Sequence, residues 1–213
     1  MLSSSNSLRR ARPLLGTVVE ITAKGDSRGL PEAIDAAFAA IETVQRLMSF
    51  HDESSDVSRI NAADPECDIC VDPQTYDVLE FSRRLGDISD GAFDIATAAV
   101  LVQSGFLPRR RHAEEAPFDS TYRDLELLAD HRVRWRRKGW VDLGGIAKGY
   151  AVDCAIAMLQ ARDVVSGLVN AGGDLRCFGE SQPIYVRQPN APTSLISPGW
   201  LSNRAIATSA DYF

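Results

Sequence analysis

Two glycines, one lysine and a carboxylate crowd a single stretch of this chain, "VDLGGIAKGYAVD", from Val141 to Asp153. Trp140 to Leu143 reads as a strand, Gly144 and Gly145 as a turn, and the residues around Lys148 as the start of a helix. Glycines let a backbone approach a ligand closely and take dihedral angles closed to other residues. The first turn of a helix leaves N–H groups without intrahelical partners and carries about half a positive charge. Phosphate binds readily at such an end, and Lys148 adds a full charge there. Asp142, at the strand end, can accept from an N–H or hydroxyl of a ligand. The stretch matches neither the Walker A loop nor the G-x-G-x-x-G dinucleotide fingerprint. Read alone, it serves equally as an anion site or as a glycine-rich turn with a surface lysine.

Three further stretches carry chemistry-bearing residues, and each alone is an ordinary turn or loop. "NAGGD", Asn170 to Asp174, is a second Gly-Gly turn beside a carboxylate. "GAFD", Gly91 to Asp94, sets an aromatic ring and a carboxylate behind a glycine. "ATSADY", Ala207 to Tyr212, offers two hydroxyls beside a carboxylate. No Ser-His-Asp arrangement is visible among His51, His112 and His131, and the last two lie in charged, solvent-facing stretches. Cys67 and Cys70 form a lone C-x-x-C, short of the four ligands a structural zinc takes. Cys154 and Cys177 read as small buried residues of a helix and a strand.

These stretches need elements to position them. "GTVVEITA", from Gly16, alternates as a strand. Pro31 opens a helix whose apolar face is Ile34, Ala37, Phe38, Ile41, Val44, Leu47 and Met48. Ser49 to Asn61 reads as a polar loop, rich in residues that bond nearby backbone groups. Pro73 starts a second helix with Val78, Leu79, Phe81 and Leu85 inward. Pro108 to Asp119 is a charged connection. "HRVRWRRKGWVDL" reads as a hairpin turning at Lys138-Gly139. The helix after Gly145 runs to about Ala161, with Ala147, Ala151, Cys154, Ala155 and Met158 inward. "SGLVNAGGDLRCFG" is strand, Gly172-Gly173 turn, strand; "PIYVR" and "NRAIATSADYF" add strand-like pieces. Helices alternate with strands, yet hairpins recur. The fold class expected is α+β (mixed α/β), a mixed or antiparallel sheet with packed helices.

The chain has 213 residues, 45% of them hydrophobic, enough for a real core. A net charge of −6 argues against a duplex-DNA binder, and Arg109 to Arg111 is too short a basic run to reverse that. No apolar run approaches the ~20 residues that span a bilayer, so no transmembrane segment is expected. The polar, basic N-terminus lacks the apolar stretch of a secretory signal, so the expected location is cytoplasmic.

Set in order, "LLGTVVEI", "MSFHDESSDVSRIN", "GAFDIATAAV", "VDLGGIAKGYAVD", "GLVNAGGDLRCFG" and "AIATSADY" resemble the FAD:protein FMN transferases, also called ApbE-like proteins. The resemblance covers Pro13 to Phe213, leaving residues 1–12 as a disordered tail and 13–213 as the transferase-like domain. It implies an ApbE-like fold and a flavin transferase. Such an enzyme takes FAD and Mg²⁺, moves FMN to a Thr or Ser hydroxyl of an acceptor flavoprotein, and releases AMP. It implies that Leu15 and His51 lie beside the flavin, at positions where family members often carry Met and Tyr. Ala92, Phe93 and Asp94 would line the FAD site. Asp142 and Lys148 would contact FAD, with Lys148 near the phosphates, and the main-chain carbonyl of Gly145 would be a metal ligand. Asp174, Thr208 and Ser209 would help build the pocket. No residue is assigned as the catalytic base.

The family pattern continues past the "ATSADY" block with a His-x-x-Asp-Pro segment and an Asp-x-x-x-Thr metal motif. Neither occurs in this sequence, and Ala210 stands where Gly is usual. The domain is therefore expected to be incomplete at its C-terminal side, with an open sheet edge or uncovered core that favours a homo-oligomer or poor stability. Two readings stay open: the flavin transferase, and a non-catalytic FAD- or nucleotide-binding homologue without the metal half.

Overall fold

β-Branched alternation over Thr17–Gly25 sends Val19, Ile21 and Ala23 to complete burial and leaves the residues between them facing outward. A computed structural model of the chain describes residues 6–109, 118–188 and 191–208. The strand Thr17–Gly25 is β2, and Asn6–Leu14 pairs with it along its whole length as antiparallel β1. The chain divides into two units, Met1–Glu42 with Lys148–Phe213, and Thr43–Ala147.

The first unit is built on a five-stranded antiparallel sheet of order β1-β2-β6-β7-β10. Ser166–Ala171 is β6, Asp174–Phe178 is β7 and Ala205–Ile206 is β10. Gln182–Gln188 and Ala191–Leu201, β8 and β9, form a separate two-stranded hairpin. Ile184 and Leu201 of that hairpin bury against Leu175 and Cys177 of β7. Leu30–Met48 forms α1, and its Ile34, Ala37, Phe38 and Ile41 are fully buried at helical spacing. Ala147–Gln160 forms α5, whose Ala151, Ala155 and Leu159 are likewise fully buried. Gly167 in β6 leaves room for Leu159 and the Phe178 ring, both of which a Cβ there would crowd.

Residues 6–12, expected within a disordered tail, are strand β1. Their sequence is basic rather than apolar, so the strand rests on non-local partners. Arg9 pairs with Glu20, Arg10 with Asp35, and Arg12 with Asp35 and Glu42, while the Arg12 guanidinium lies 4.5 Å over the Phe38 ring. β9 is a further strand beyond those expected.

The second unit carries Asp56–Ala62 as α2, Pro73–Ile88 as α3 and Ala98–Gln103 as α4. A small antiparallel sheet of order β3-β5-β4 joins Ile69–Cys70, Arg132–Trp135 and Leu125–Leu128, which are β3, β5 and β4. Pro73 stands in the first turn of α3, and the Asp72 carboxylate caps it by accepting from Gln74 N at 2.9 Å. Several expectations change here. The polar stretch Ser49 to Asn61 ends in a helix, because Ser55 is an N-cap whose Oγ accepts from Ser58 N at 3.0 Å. The hairpin turns at Asp130 and His131, both with positive φ, and not at Lys138-Gly139. Gly139 is instead needed because the Trp135 ring lies where its Cβ would be. Phe81 is 51% exposed rather than inward, Leu85 is half-buried, Cys154 is half-buried and Cys67 and Cys70 are exposed free thiols. Among the described residues no helix is long and apolar enough to cross a membrane.

α2 is fixed to α3 by one buried carboxylate. Asp56 is 5% exposed; its Oδ2 accepts from Asp72 N and Thr75 Oγ1, each at 2.8 Å, and its Oδ1 from Arg59 at 2.9 Å. Removing it leaves the fully buried Thr75 hydroxyl without its acceptor. Asp56→Ala is therefore expected to lower the unfolding free energy by about 1–3 kcal/mol, read as a lower urea midpoint. An unchanged midpoint would contradict the role given to this carboxylate.

Candidate functional site

The first unit gathers four of the expected residues around one end of its sheet. Pairing of Leu14 with Thr17 closes a two-residue turn over Leu15 and Gly16, whose φ angles are 55° and 70°. Pairing of Ala171 with Asp174 closes a second over Gly172 and Gly173, at 63° and 105°. Positive φ at both central residues suits the right-handed twist of a hairpin. Val19 of β2 pairs with Ala171 of β6, so the two turns lie side by side at the same sheet end. Leu15 holds its left-handed conformation at a cost of about 1–2 kcal/mol relative to glycine. A Cβ on Gly172 would strike the Thr17 side chain, and one on Gly173 the Thr208 hydroxyl. The second turn is tied down further: Gly173 N donates to Asn170 Oδ1 at 3.0 Å, and Thr208 Oγ1 donates to Gly173 O at 3.3 Å.

Lys148 stands in the first turn of α5, with Nζ 3.9 Å from Asp174 Oδ2 just after the Gly172-Gly173 turn. That separation exceeds hydrogen-bond reach, and the lysine side chain is 40% exposed. Such a pair contributes little energy, so the ammonium keeps its capacity to bind another anion. Asp153, farther along α5, pairs with Arg176 at 2.6 Å and is an ordinary helix residue.

The second unit gathers His51, Ala92, Phe93, Asp94, Asp142 and Gly145 around the segment Trp140–Leu143. Among the described residues this segment has no ladder partner, contrary to the expected strand, yet its backbone is bonded on both edges. Asp142 N donates to Ile95 O at 2.9 Å, and Trp140 O accepts from Ala98 N at 3.3 Å. Opposite them, the Asn61 side chain takes both main-chain groups of Val141: Nδ2 donates to Val141 O at 2.8 Å, and Oδ1 accepts from Val141 N at 2.7 Å. Asp142 Oδ2 then accepts from Gly144 N at 3.0 Å, folding the chain into the Gly144-Gly145 turn. Leu143 O accepts from Ile146 N and Ala147 N, which starts α5.

Phe93 lies against this turn, its ring 3.7 Å from where a Cβ on Gly145 would stand. Ser89 Oγ holds the loop by accepting from Phe93 N at 3.0 Å, and Ala92 beside it is exposed. Asp94 is turned to structural work, its Oδ1 accepting from Ala96 N at 2.7 Å and from Tyr122 N at 3.0 Å. His51 is exposed, set edge-on to Phe50 with ring centroids 6.4 Å apart. Burial pushes the Asp142 carboxyl above the ordinary aspartate range, against the opposing pull of the Gly144 N–H and of His51. Ser209 lies outside the described residues. Asn61, Thr17 and Asn170 are the residues that the sequence reading did not single out. A buried asparagine next to a helix end carries no signal of a partner so far along the chain.

Gly145 O is the sole metal ligand that the resemblance assigns. Among the described residues no three His, Cys, Asp or Glu side chains come together as a metal site. A magnesium ion takes six oxygens and usually keeps several waters and substrate phosphate oxygens among them, so Gly145 O would supply only one part of its shell.

The shifted Asp142 makes a test with a definite sign. Its folded pKa lies above its unfolded one, so stability falls as pH rises between the two and stays lower above them. Asparagine keeps an oxygen for Gly144 N and cannot ionise. Asp142→Asn is expected to melt at or above the parent chain at neutral pH. That advantage should disappear as pH falls below about 4, where aspartate is protonated in both states. A variant that melts lower at neutral pH and recovers on acidification would contradict the burial argument.

The ApbE family model matches residues 15–213. An FAD:protein FMN transferase of Vibrio cholerae is 27% identical over 223 residues, covering 94% of this chain and 65% of the relative. One of Treponema pallidum is 28% identical over 185 residues, covering 80% and 51%. The chain thus spans about half to two-thirds of the length of these curated relatives. Among solved structures, the ApbE protein of Thermotoga maritima matches with a TM-score of 0.84 at 27% identity, over 97% of this chain and 71% of that one. The flavin transferase ApbE from Vibrio cholerae matches at 0.80 and 25% identity, over 98% and 72%. An antiparallel α+β fold with the six motif blocks in order, matched by the family model from Leu15 onward, makes this chain a member of the ApbE family.

Proposed function

We propose that this chain binds FAD and serves a flavin transferase, moving FMN from FAD to a Thr or Ser hydroxyl of an acceptor protein. The observation that carries this reading is the match of residues 15–213 to the ApbE family together with relatives named FAD:protein FMN transferase. The geometry agrees with it. FAD carries a diphosphate, and Lys148 offers an ammonium held by no strong ion pair. Phosphoryl transfer calls chiefly for positioned charge around the phosphates rather than a covalent nucleophile.

In the reaction the acceptor hydroxyl oxygen forms a bond to the phosphorus of the FMN half. The bond from that phosphorus to the AMP oxygen breaks, AMP departs, and the hydroxyl proton leaves to a base. On this reading Lys148 offsets phosphate charge, with Asp174 orienting its ammonium. Leu15 and the Gly172-Gly173 turn, held by Thr208, form an apolar, close-approach surface, and Ser209 is assigned beside them. Asp142 accepts from a donor of FAD, and Phe93, Ala92 and His51 offer surfaces for its rings, with Asp94 bracing their loop. Mg²⁺, when bound, would supply Lewis-acid polarisation of the phosphate oxygens, with Gly145 O as one ligand. Cytoplasmic location and a homo-oligomeric state belong to the same proposal.

A second reading is a chain that binds FAD or a related nucleotide without transferring it. Incubation with FAD, Mg²⁺ and a threonine-bearing acceptor peptide separates the two. The transferase reading expects AMP and a fluorescent, covalently flavinylated peptide. FAD bound with no AMP released supports the binding reading and sinks transfer by this chain. Lys148→Ala is expected to raise the FAD dissociation constant about tenfold, the loss of roughly one good phosphate contact. Unchanged affinity would remove Lys148 from the diphosphate.

A further inference from the structure

Asn61 is 3% exposed, and its side-chain amide is spent entirely on one residue. Its oxygen accepts from Val141 N and its nitrogen donates to Val141 O, so a side chain completes the pairing that a neighbouring strand would otherwise give. The other edge of the segment is bonded to Ile95 and Ala98. With both edges held, the dihedral angles at Val141 have little freedom, and the direction in which Asp142 leaves the segment is set. That direction brings the Asp142 carboxylate onto Gly144 N and starts the Gly144-Gly145 turn.

The simple replacements do not fit this job. Aspartate has no donor for Val141 O, serine is too short to span both groups, and leucine offers neither. At this depth water has no ready route to replace the lost bonds, and an unpaired main-chain group is costly. The clamp is braced from behind, because α2, which carries Asn61, is anchored to α3 through Asp56.

We infer that Asn61 is a positioning residue for the Asp142 turn and, through that turn, for the dinucleotide. The second half rests on the FAD reading above; the first does not. FAD affinity, measured by flavin fluorescence on the full chain, is compared in Asn61→Ser, Asp142→Asn, the double variant, and Val78→Ala. Val78 is a buried core residue of α3, so its truncation lowers stability without touching the turn. Asn61→Ser is expected to weaken FAD binding about tenfold, and Val78→Ala by less than about twofold. The double variant is expected to bind no more weakly than Asp142→Asn alone, because Asn61 acts on the dinucleotide through the carboxylate that Asp142→Asn already replaces. An Asn61→Ser affinity equal to that of the parent chain, or additive losses in the double variant, would overturn the inference.

A variant that fails to fold is replaced by Asn61→Asp, which keeps the shape and the acceptor atom. If the parent chain binds no FAD, the flavin reading fails, and amide exchange decides the positioning claim. The Gly144 amide is then expected to exchange at least about tenfold faster in the Asn61 variant than in Val78→Ala. Equal rates would overturn it.

Discussion

The pairing of one asparagine amide with both main-chain groups of Val141 is the constraint on which the second unit's Asp142–Gly145 turn depends. It joins positions 61 and 141 and lies in the interior, where each bond lost would leave an unpaired polar group. A ladder partner would have done the same with backbone alone. A side chain does it over a single residue, which leaves the chain free to turn at once. The Asx turn at Asp142, the two glycines and the start of α5 follow within a few residues. Val141 and Leu143 are fully buried on either side of Asp142, which explains why the carboxyl is held above its ordinary pKa.

The first unit solves a similar problem by another route. Two strand pairs close over two-residue turns at one sheet end, and the register between β2 and β6 sets them next to each other. Threonines fill the space that side chains on Gly172 and Gly173 would need. Backbone is thereby brought to the surface at a rigid sheet end, with Lys148 and Asp174 beside it. Leu15 is the exception to the local rules, a branched aliphatic residue in left-handed backbone. Strain of this kind persists only where the surroundings enforce it.

Much of this was legible from local pattern. Alternation announced β2, helical spacing announced α1, α3 and α5, and the Gly172-Gly173 turn was readable from its dipeptide. The features that local pattern does not announce share one cause, dependence on distant partners. β1 looks like a basic tail because its stability comes from the β2 ladder and from Asp35, Glu20 and Glu42. α2 hid within Ser- and Asp-rich sequence, where Ser55 is a cap and Asp56 a buried acceptor rather than loop polarity. Local pattern points to the glycine as the hairpin turn, whereas Asp130 and His131 take the positive φ and Gly139 is spent on the Trp135 ring. Of the candidate residues, Phe93, Asp142, Gly145 and His51 share one unit, and Lys148, Asp174, Thr208 and Leu15 the other. Asp94 proved to be a brace for Tyr122 and Ala96. Asn61 was invisible because nothing near it in sequence hints at Val141.

The central proposal is that the Gly172-Gly173 turn, beside Lys148, receives FAD. Backbone amide resonances followed during an FAD titration test it most directly. Binding as proposed shifts the amides of Gly172 and Gly173 saturably with FAD and leaves those of the exposed Cys67–Cys70 stretch in place. Saturable shifts confined to other regions, or no shifts at millimolar FAD, would contradict it.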